Sequence, residues 1–149
     1  DREFIMFVKM GSVARKNRAF HIRIDNHDVW NLDNTLANII HPALIRLRER
    51  VPHFGYPTPY DETEAYPEFS SQGSFEEILD REAESKYYEN LWMEKLQKMI
   101  NAFEMIIDKD EDYDKIAHHV DYENERNEWW NKIEEGLNLF AKHYHGLWD

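Results

Sequence analysis

From Trp130 onward, Ile133, Leu137, Phe140, Tyr144 and Leu147 follow at alternating intervals of three and four residues, with Trp129 beside the first. That spacing lines large apolar groups along one stripe of a helix. A stripe so rich in aromatic rings needs other elements to cover it, and this requirement constrains the fold more than any other feature. Two further stripes answer it. Leu91, Trp92, Leu96, Met99, Ile100, Phe103 and Ile107 form one, and Leu36, Ile39, Ile40, Ala43, Leu44 and Leu47 form the other. The periodicity predicts a helix over about 34–50, helices over about 75–107 and a C-terminal helix over about 120–147. The buried side of the last is expected to include Leu137 and Tyr144.

Local signals set the boundaries. Asp33 or Asn34 can cap the first helix, and Ser74 with Glu77 has the capping-box spacing. Pro42 removes a backbone donor inside the first helix, which predicts a kink or restart near His41. The polar stretch Asp80 to Glu89 is expected to be exposed or interrupted. Asp108 to Asp114 reads as an acidic connector.

The N-terminal segment has a different period. Phe4 to Met10 is an apolar run of strand length, and Gly11-Ser12 is a turn signal. Phe20, Ile22 and Ile24 then alternate with His21, Arg23 and Asp25. A β-hairpin over 4–25 is expected, one face packed and the other presenting His, Arg and Asp. Residues 52–73 read as a long loop with Pro52, Pro57, Pro59 and Pro67. Its aromatic residues argue that it is partly tacked onto the surface. The fold class is therefore α+β, predominantly α, with an N-terminal β-hairpin packed on a bundle of three to four helices. A length of 149 residues with 14% aromatic content fits a single domain over 1–149 with a real core.

Charge narrows the partners. Residues 1–50 hold nine Lys/Arg and six Asp/Glu, while residues 51–149 hold nine and twenty-four, so about +3 faces about −15. So acidic a surface repels nucleic-acid backbones, and general nucleic-acid binding is not expected. It suits solubility, a basic protein partner, or mimicry of DNA. Cysteine is absent, which removes disulfide and thiolate chemistry. No apolar run approaches the roughly 20 residues needed to span a bilayer. No signal-peptide layout precedes the hairpin. A cytosolic setting without membrane contact is the expectation.

Two long segments, HIRIDNHDVWNLDNTLANIIHPALIRLRE over 21–49 and KIEEGLNLFAKHYHGLWD over 132–149, carry a resemblance. The first contains Trp30, Asp33, Thr35, Leu36, Ala37, Pro42 and Leu44. The second contains Gly136, Leu137, Leu139, Phe140, Lys142, Tyr144, Leu147, Trp148 and Asp149. Together with LQKMINAFE over 96–104, about half of the chain resembles a family of small, functionally uncharacterised proteins of tailed bacteriophages. His143 departs from the tyrosine more usual in that pattern. The resemblance implies a phage origin and the cytoplasm of an infected bacterial host as setting. It implies no reaction.

Three constellations can carry chemistry. The first is His21, Arg23, Asp25, His27, Asp28, Trp30 and Asp33, with Arg15, Lys16 and Arg18 upstream. Here a strand face runs into a helix N-terminus, where backbone donors and an arginine can hold an anion and Trp30 can stack on a base. The plainer alternative makes Asp33 a cap and Trp30 a core residue. The second is Lys142, Tyr144 and Trp148, an aromatic wall with a lysine suited to a nucleotide-like ligand, or simply core with a polar rim. The third is carboxylate pairs: Glu76, Glu77 and Asp80, with Glu104 and Asp108. On facing helices such pairs bind Mg²⁺ in all-α nucleotide pyrophosphatases. His118 and His119 are adjacent and cannot share a helical face. No HExxH, P-loop or GxSxG motif occurs.

These readings rank a non-enzymatic phage accessory protein first. It would need no cofactor, and would sequester a small anionic nucleotide-like signal of host defence through His21, Arg23, His27, Trp30, Asp33, Lys142, Tyr144 and Trp148. A Mg-dependent nucleotide pyrophosphohydrolase and an acidic inhibitor of a host protein, or DNA mimic, are the alternatives. A homodimer is compatible with all three.

Overall fold

A computed structural model describes residues 6–11, 20–57, 62–66 and 74–148, the side chains of 62 and 74–79 excepted. The predicted strand residues Phe4 and Ile5, the basic residues Arg15, Lys16 and Arg18, the side chains of Ser74, Glu76 and Glu77, and Asp149 lie outside them. The described chain is predominantly helical, with one two-stranded hairpin. Its elements are β1 (Phe7–Met10), β2 (Phe20–Arg23), α1 (Asn26–Trp30), α2 (Leu32–Phe54), α3 (Ser74–Ile107), α4 (Lys109–Ile116) and α5 (Tyr122–Lys142).

Helix α3 is the axis of the molecule, flanked by α2 and α5. That position explains its burial pattern. Trp92, Leu96, Met99, Ile100, Ala102, Phe103 and Ile106 are all buried, more than one stripe can hold, because two neighbours cover two sides. Helix α2 sends in a narrower line, Ala37, Leu44 and Val51, spaced by seven residues. Helix α5 contributes Ile133 and Gly136. At Gly136 the α3 and α5 backbones come close. A Cβ placed there would stand 2.6 Å from the Lys98 carbonyl oxygen, and nearer still to the Ala102 Cβ.

Several boundaries differ from the sequence expectation. Helix α2 runs through both Pro42 and Pro52 without a break. Pro42 and Asn38 are exposed, so water can serve the Asn38 carbonyl that has lost its donor, while packing on α3 keeps the helix going. The polar stretch 80–89 does not interrupt α3, which spans 34 residues, about 50 Å at 1.5 Å per residue. The acidic connector is itself helical, as α4. Helix α5 stops at Lys142, and Tyr144–Gly146 forms a 3-10 turn. Tyr144 in that turn is 60% exposed, and Leu137 within α5 is 37% exposed, against the expectation that both face inward. The buried residues of this turn are His143, 4% exposed, and Gly146.

The described part of the predicted loop is tied to α3. Tyr56 donates its hydroxyl to the Ser85 carbonyl at 2.9 Å, and the Tyr66 amide donates to the Tyr88 hydroxyl at 2.8 Å. Helix α2 itself ends at Gly55, whose φ of 102° is the left-handed conformation that glycine adopts without strain.

The hairpin pairs Phe7 with Arg23, Val8 with Ile22, Lys9 with His21 and Met10 with Phe20, antiparallel. Cross-strand partners share a face. One face therefore carries Phe7, Lys9, His21 and Arg23, and the other Val8, Met10, Phe20 and Ile22. All eight residues are exposed. The cover expected for one face is not supplied by any described helix.

Candidate binding site

The helix N-terminus expected to receive an anion holds its own carboxylates. The Asp25 side chain accepts the His27 amide at 3.1 Å, and the Asp28 side chain accepts the Asp25 amide at 2.6 Å, a reciprocal capping box at the start of α1. The His27 amide and ring beside Asp25 hold its carboxyl below the usual range. With donors filled and two negative charges in place, α1 does not attract a further anion. Nor does the start of α2. It begins at Leu32 after Asn31, so neither Asp33 nor Asn34 is its cap. Asp33 pairs instead with Lys109 at 2.9 Å, and that hydrogen bond lowers its pKa. Lys109 also donates to the Asn31 side chain at 3.1 Å. Asn34 donates to the Ile107 carbonyl at 3.1 Å, satisfying an end group of α3. Asp33 and Asn34 therefore clamp α2 to the α3–α4 junction.

Trp30 is not a core residue. It is 88% exposed, with the His27 ring against its edge at 5.7 Å. Just before it in sequence, the hairpin forms an open hollow of about 650 Å³, lined by Phe7, Lys9, His21 and Arg23 of the polar face together with Phe20 and Ile22 of the other. This hollow combines two cations, an imidazole and aromatic rings, the groups that hold a phosphate and stack on a base. Lys9 and Phe7 were not singled out from sequence. Only the register puts Lys9 opposite His21 and Phe7 opposite Arg23.

The C-terminal candidates stand elsewhere. Trp148 lines a groove of about 440 Å³ between α2 and α5, with Ile39, Ala43, Leu44, Phe140 and Leu147 among its walls. No residue of this groove belongs to the hairpin hollow. Its lining is apolar, so the expected aromatic wall is present but polar recognition groups are not. Tyr144 packs on Phe140 at 5.7 Å, and Lys142 is an exposed residue at the end of α5. The eight predicted ligand contacts thus fall into three places: His21 and Arg23 on the hairpin, His27, Trp30 and Asp33 around α1, and Lys142, Tyr144 and Trp148 at the C-terminus.

The carboxylates proposed for a metal do not face one another. Asp80, Glu104 and Asp108 lie along or directly after the single helix α3, and the 24 residues from Asp80 to Glu104 span about 36 Å. They cannot share one ion. Among the described residues no group of three or more His, Asp or Glu is arranged to hold a metal.

A second polar cluster, unforeseen in sequence, lies under the C-terminal turn. Lys95, 7% exposed, donates to Glu64 at 2.5 Å, and its ammonium stands 3.4 Å from the His143 Nε2. The Trp92 ring meets His143 edge-on at 5.5 Å. Burial, and then the charges of Lys95 and Lys142, push the His143 pKa down against the opposing pull of Glu64. A neutral imidazole suits this position. The hydrophobic stripe dominates the sequence here and conceals the one polar member that is buried.

Among the described residues no helix is long and apolar enough to cross a membrane. Compared with models of known families, with curated proteins and with solved structures, the chain matches none of them.

Proposed function

We propose that this chain is a tailed-phage accessory protein, active in the host cytoplasm, which binds a small anionic, nucleotide-like ligand on the polar face of its hairpin. One observation carries the reading. The strand register gathers Lys9, His21 and Arg23 with Phe7 on a single exposed face, in a chain whose other surfaces are mostly acidic. Lys9 and Arg23 supply charge-assisted hydrogen bonds to phosphate, and Phe7 supplies a surface for the base. Trp30, exposed and close by in sequence, adds a second stacking group.

Calorimetry against a panel of mono-, di- and cyclic nucleotides tests it. Binding by at least one is expected, weakened about tenfold or more in Arg23→Ala and in Lys9→Ala, since a hydrogen bond to a charged group contributes about 1.5–3 kcal/mol. Lys142→Ala is expected to bind as the parent does. No heat and no thermal shift with any member of the panel would sink the proposal.

A further inference from the structure

We infer that His143 pins an acid-sensitive latch, whose protonation releases residues 143–148 from α3 and withdraws Leu147 and Trp148 from the α2–α5 groove. The geometry calls for a neutral ring. An ammonium only donates hydrogen bonds. Lys95 Nζ, 3.4 Å from His143 Nε2, therefore makes that nitrogen the acceptor and leaves the ring proton on Nδ1. A second proton would turn Nε2 into a donor aimed at the ammonium. Lys95 has little room to turn away, because it is buried and held by Glu64 at 2.5 Å. Among the described residues, the charged groups that face the ring are Lys95 of α3, Lys142 at the end of α5, and Glu64 of the 3-10 turn Glu62–Glu64. Two cations stand against one carboxylate, and that carboxylate is already paired with Lys95. His145, the next histidine, is exposed. The Trp92 ring meets the imidazole edge-on at 5.5 Å, and so withholds from an imidazolium the water that it needs.

The segment that His143 pins can leave without dismantling the bundle. The Gly146, Leu147 and Trp148 amides donate to the carbonyls of His143, Tyr144 and Gly146 at 2.8, 3.3 and 2.9 Å, so each of these bonds travels with the turn. Side-chain packing ties the turn down. The His143 ring lies against Trp92, the Tyr144 ring stands 5.7 Å from Phe140, and a Cβ on Gly146 would come within 3.2 Å of the Pro57 ring. Leu147 and Trp148 follow directly and wall the groove with Ile39, Ala43, Leu44 and Phe140. The contacts that join α2 and α5 to α3, through Val51, Met99, Ile133 and Gly136, lie outside the turn. A segment without long-range backbone bonds belongs to the low-stability end of a fold. Once released, the ring regains an ordinary value near 6.5, whereas burial, and then Lys95 and Lys142, hold the docked ring below it. Docking is therefore favoured most fully above about pH 6.5. The ratio of released to docked turns rises as pH falls from there, by up to about tenfold between pH 7.5 and 5.5. The latch shares no residue with the hairpin hollow, so it stands or falls independently of ligand binding there.

The chain contains no cysteine, so a single introduced thiol can report each region. Leu147→Cys reads the turn, and Ile133→Cys, at a position 2% exposed, reads the core. Labelling rates with a neutral thiol reagent at pH 7.5 and 5.5 test the inference, each corrected for thiolate fraction with a free peptide thiol. Circular dichroism is the folding control. Leu147→Cys is expected to label at least about tenfold faster than Ile133→Cys at both pH values, because local opening exposes only the first. Its corrected rate is expected to rise severalfold, up to about tenfold, at pH 5.5. Adding His143→Phe is expected to abolish that rise. Where a variant loses parental helicity, the ¹³C shifts of the Leu147 methyls in the parent replace it. They are expected to move toward free-peptide values in step with titration of the His143 ring, while the Ile133 methyls hold theirs. Equal labelling of the two cysteine chains overturns the inference, because the turn would then open only with the whole fold. So does a rise of less than about twofold, a rise that survives His143→Phe, or Leu147 methyls that do not follow the His143 ring.

Discussion

At Gly136, two opposing terms can be compared directly. Alanine has the higher helix propensity by about 1 kcal/mol. Its methyl would meet the Lys98 carbonyl at 2.6 Å and press harder still on the Ala102 Cβ. Neither atom is the end of a flexible side chain, so α5 must move off α3, and overpacking of this kind costs about 1–3 kcal/mol or more. Gly136→Ala is therefore expected to destabilise the fold by up to about 2 kcal/mol net, read as a lower urea midpoint. His143 sets a pH dependence. Its pKa is lowered in the folded protein from 6.5, so the unfolded chain takes up the proton first. Stability is complete above about pH 6.5 and is lost as pH falls from there through the folded-state value. Urea midpoints at pH 7.5 and 5.5 are expected to differ more for the parent than for His143→Phe. Glu64→Gln would leave the Lys95 ammonium, 8% exposed as a side chain, without its charge partner. Breaking a buried pair costs about 3–5 kcal/mol, and Glu64's own 26% exposure puts the expected loss at the lower end.

The elements show how propensity and packing compete. Pro42 carries a clear sequence signal for a break, yet α2 passes through it because Ala37, Leu44 and Val51 anchor both sides to α3. A proline inside a helix costs about 3 kcal/mol. Pro42→Ala is expected to recover at least about 1 kcal/mol of that cost in urea denaturation, and an unchanged or lower midpoint would mean that the proline shapes the helix for packing. The polar stretch 80–89 was read as a weak point for the same reason, yet Tyr56 and Tyr66 dock on it and α3 continues. Continuity of α3 is also what separates Asp80 from Glu104. A metal site plausible on two facing helices dissolves when both pairs belong to one. Helix periods and strand alternation were readable because they depend on neighbours three, four or two positions away. The clamp of Asp33 and Asn31 on Lys109, some 76 residues distant, has no local signature.

The whole molecule is governed by its charge asymmetry. Residues 4–24 carry +5 and residues 25–149 carry −16, an asymmetry whose reach salt limits to about 8–10 Å near physiological ionic strength. The sequence by itself determined the predominantly helical class, the hairpin, three apolar stripes and the acid–base division, since each is a matter of composition or short period. Only the tertiary structure decided which side of each stripe is covered. It turned Tyr144 and Trp30 outward and His143 inward, filled the α1 N-terminus with Asp25 and Asp28, and set Lys9 beside His21. The physical reason is that burial and pairing depend on which neighbour arrives, and a periodic pattern specifies a face without naming what meets it.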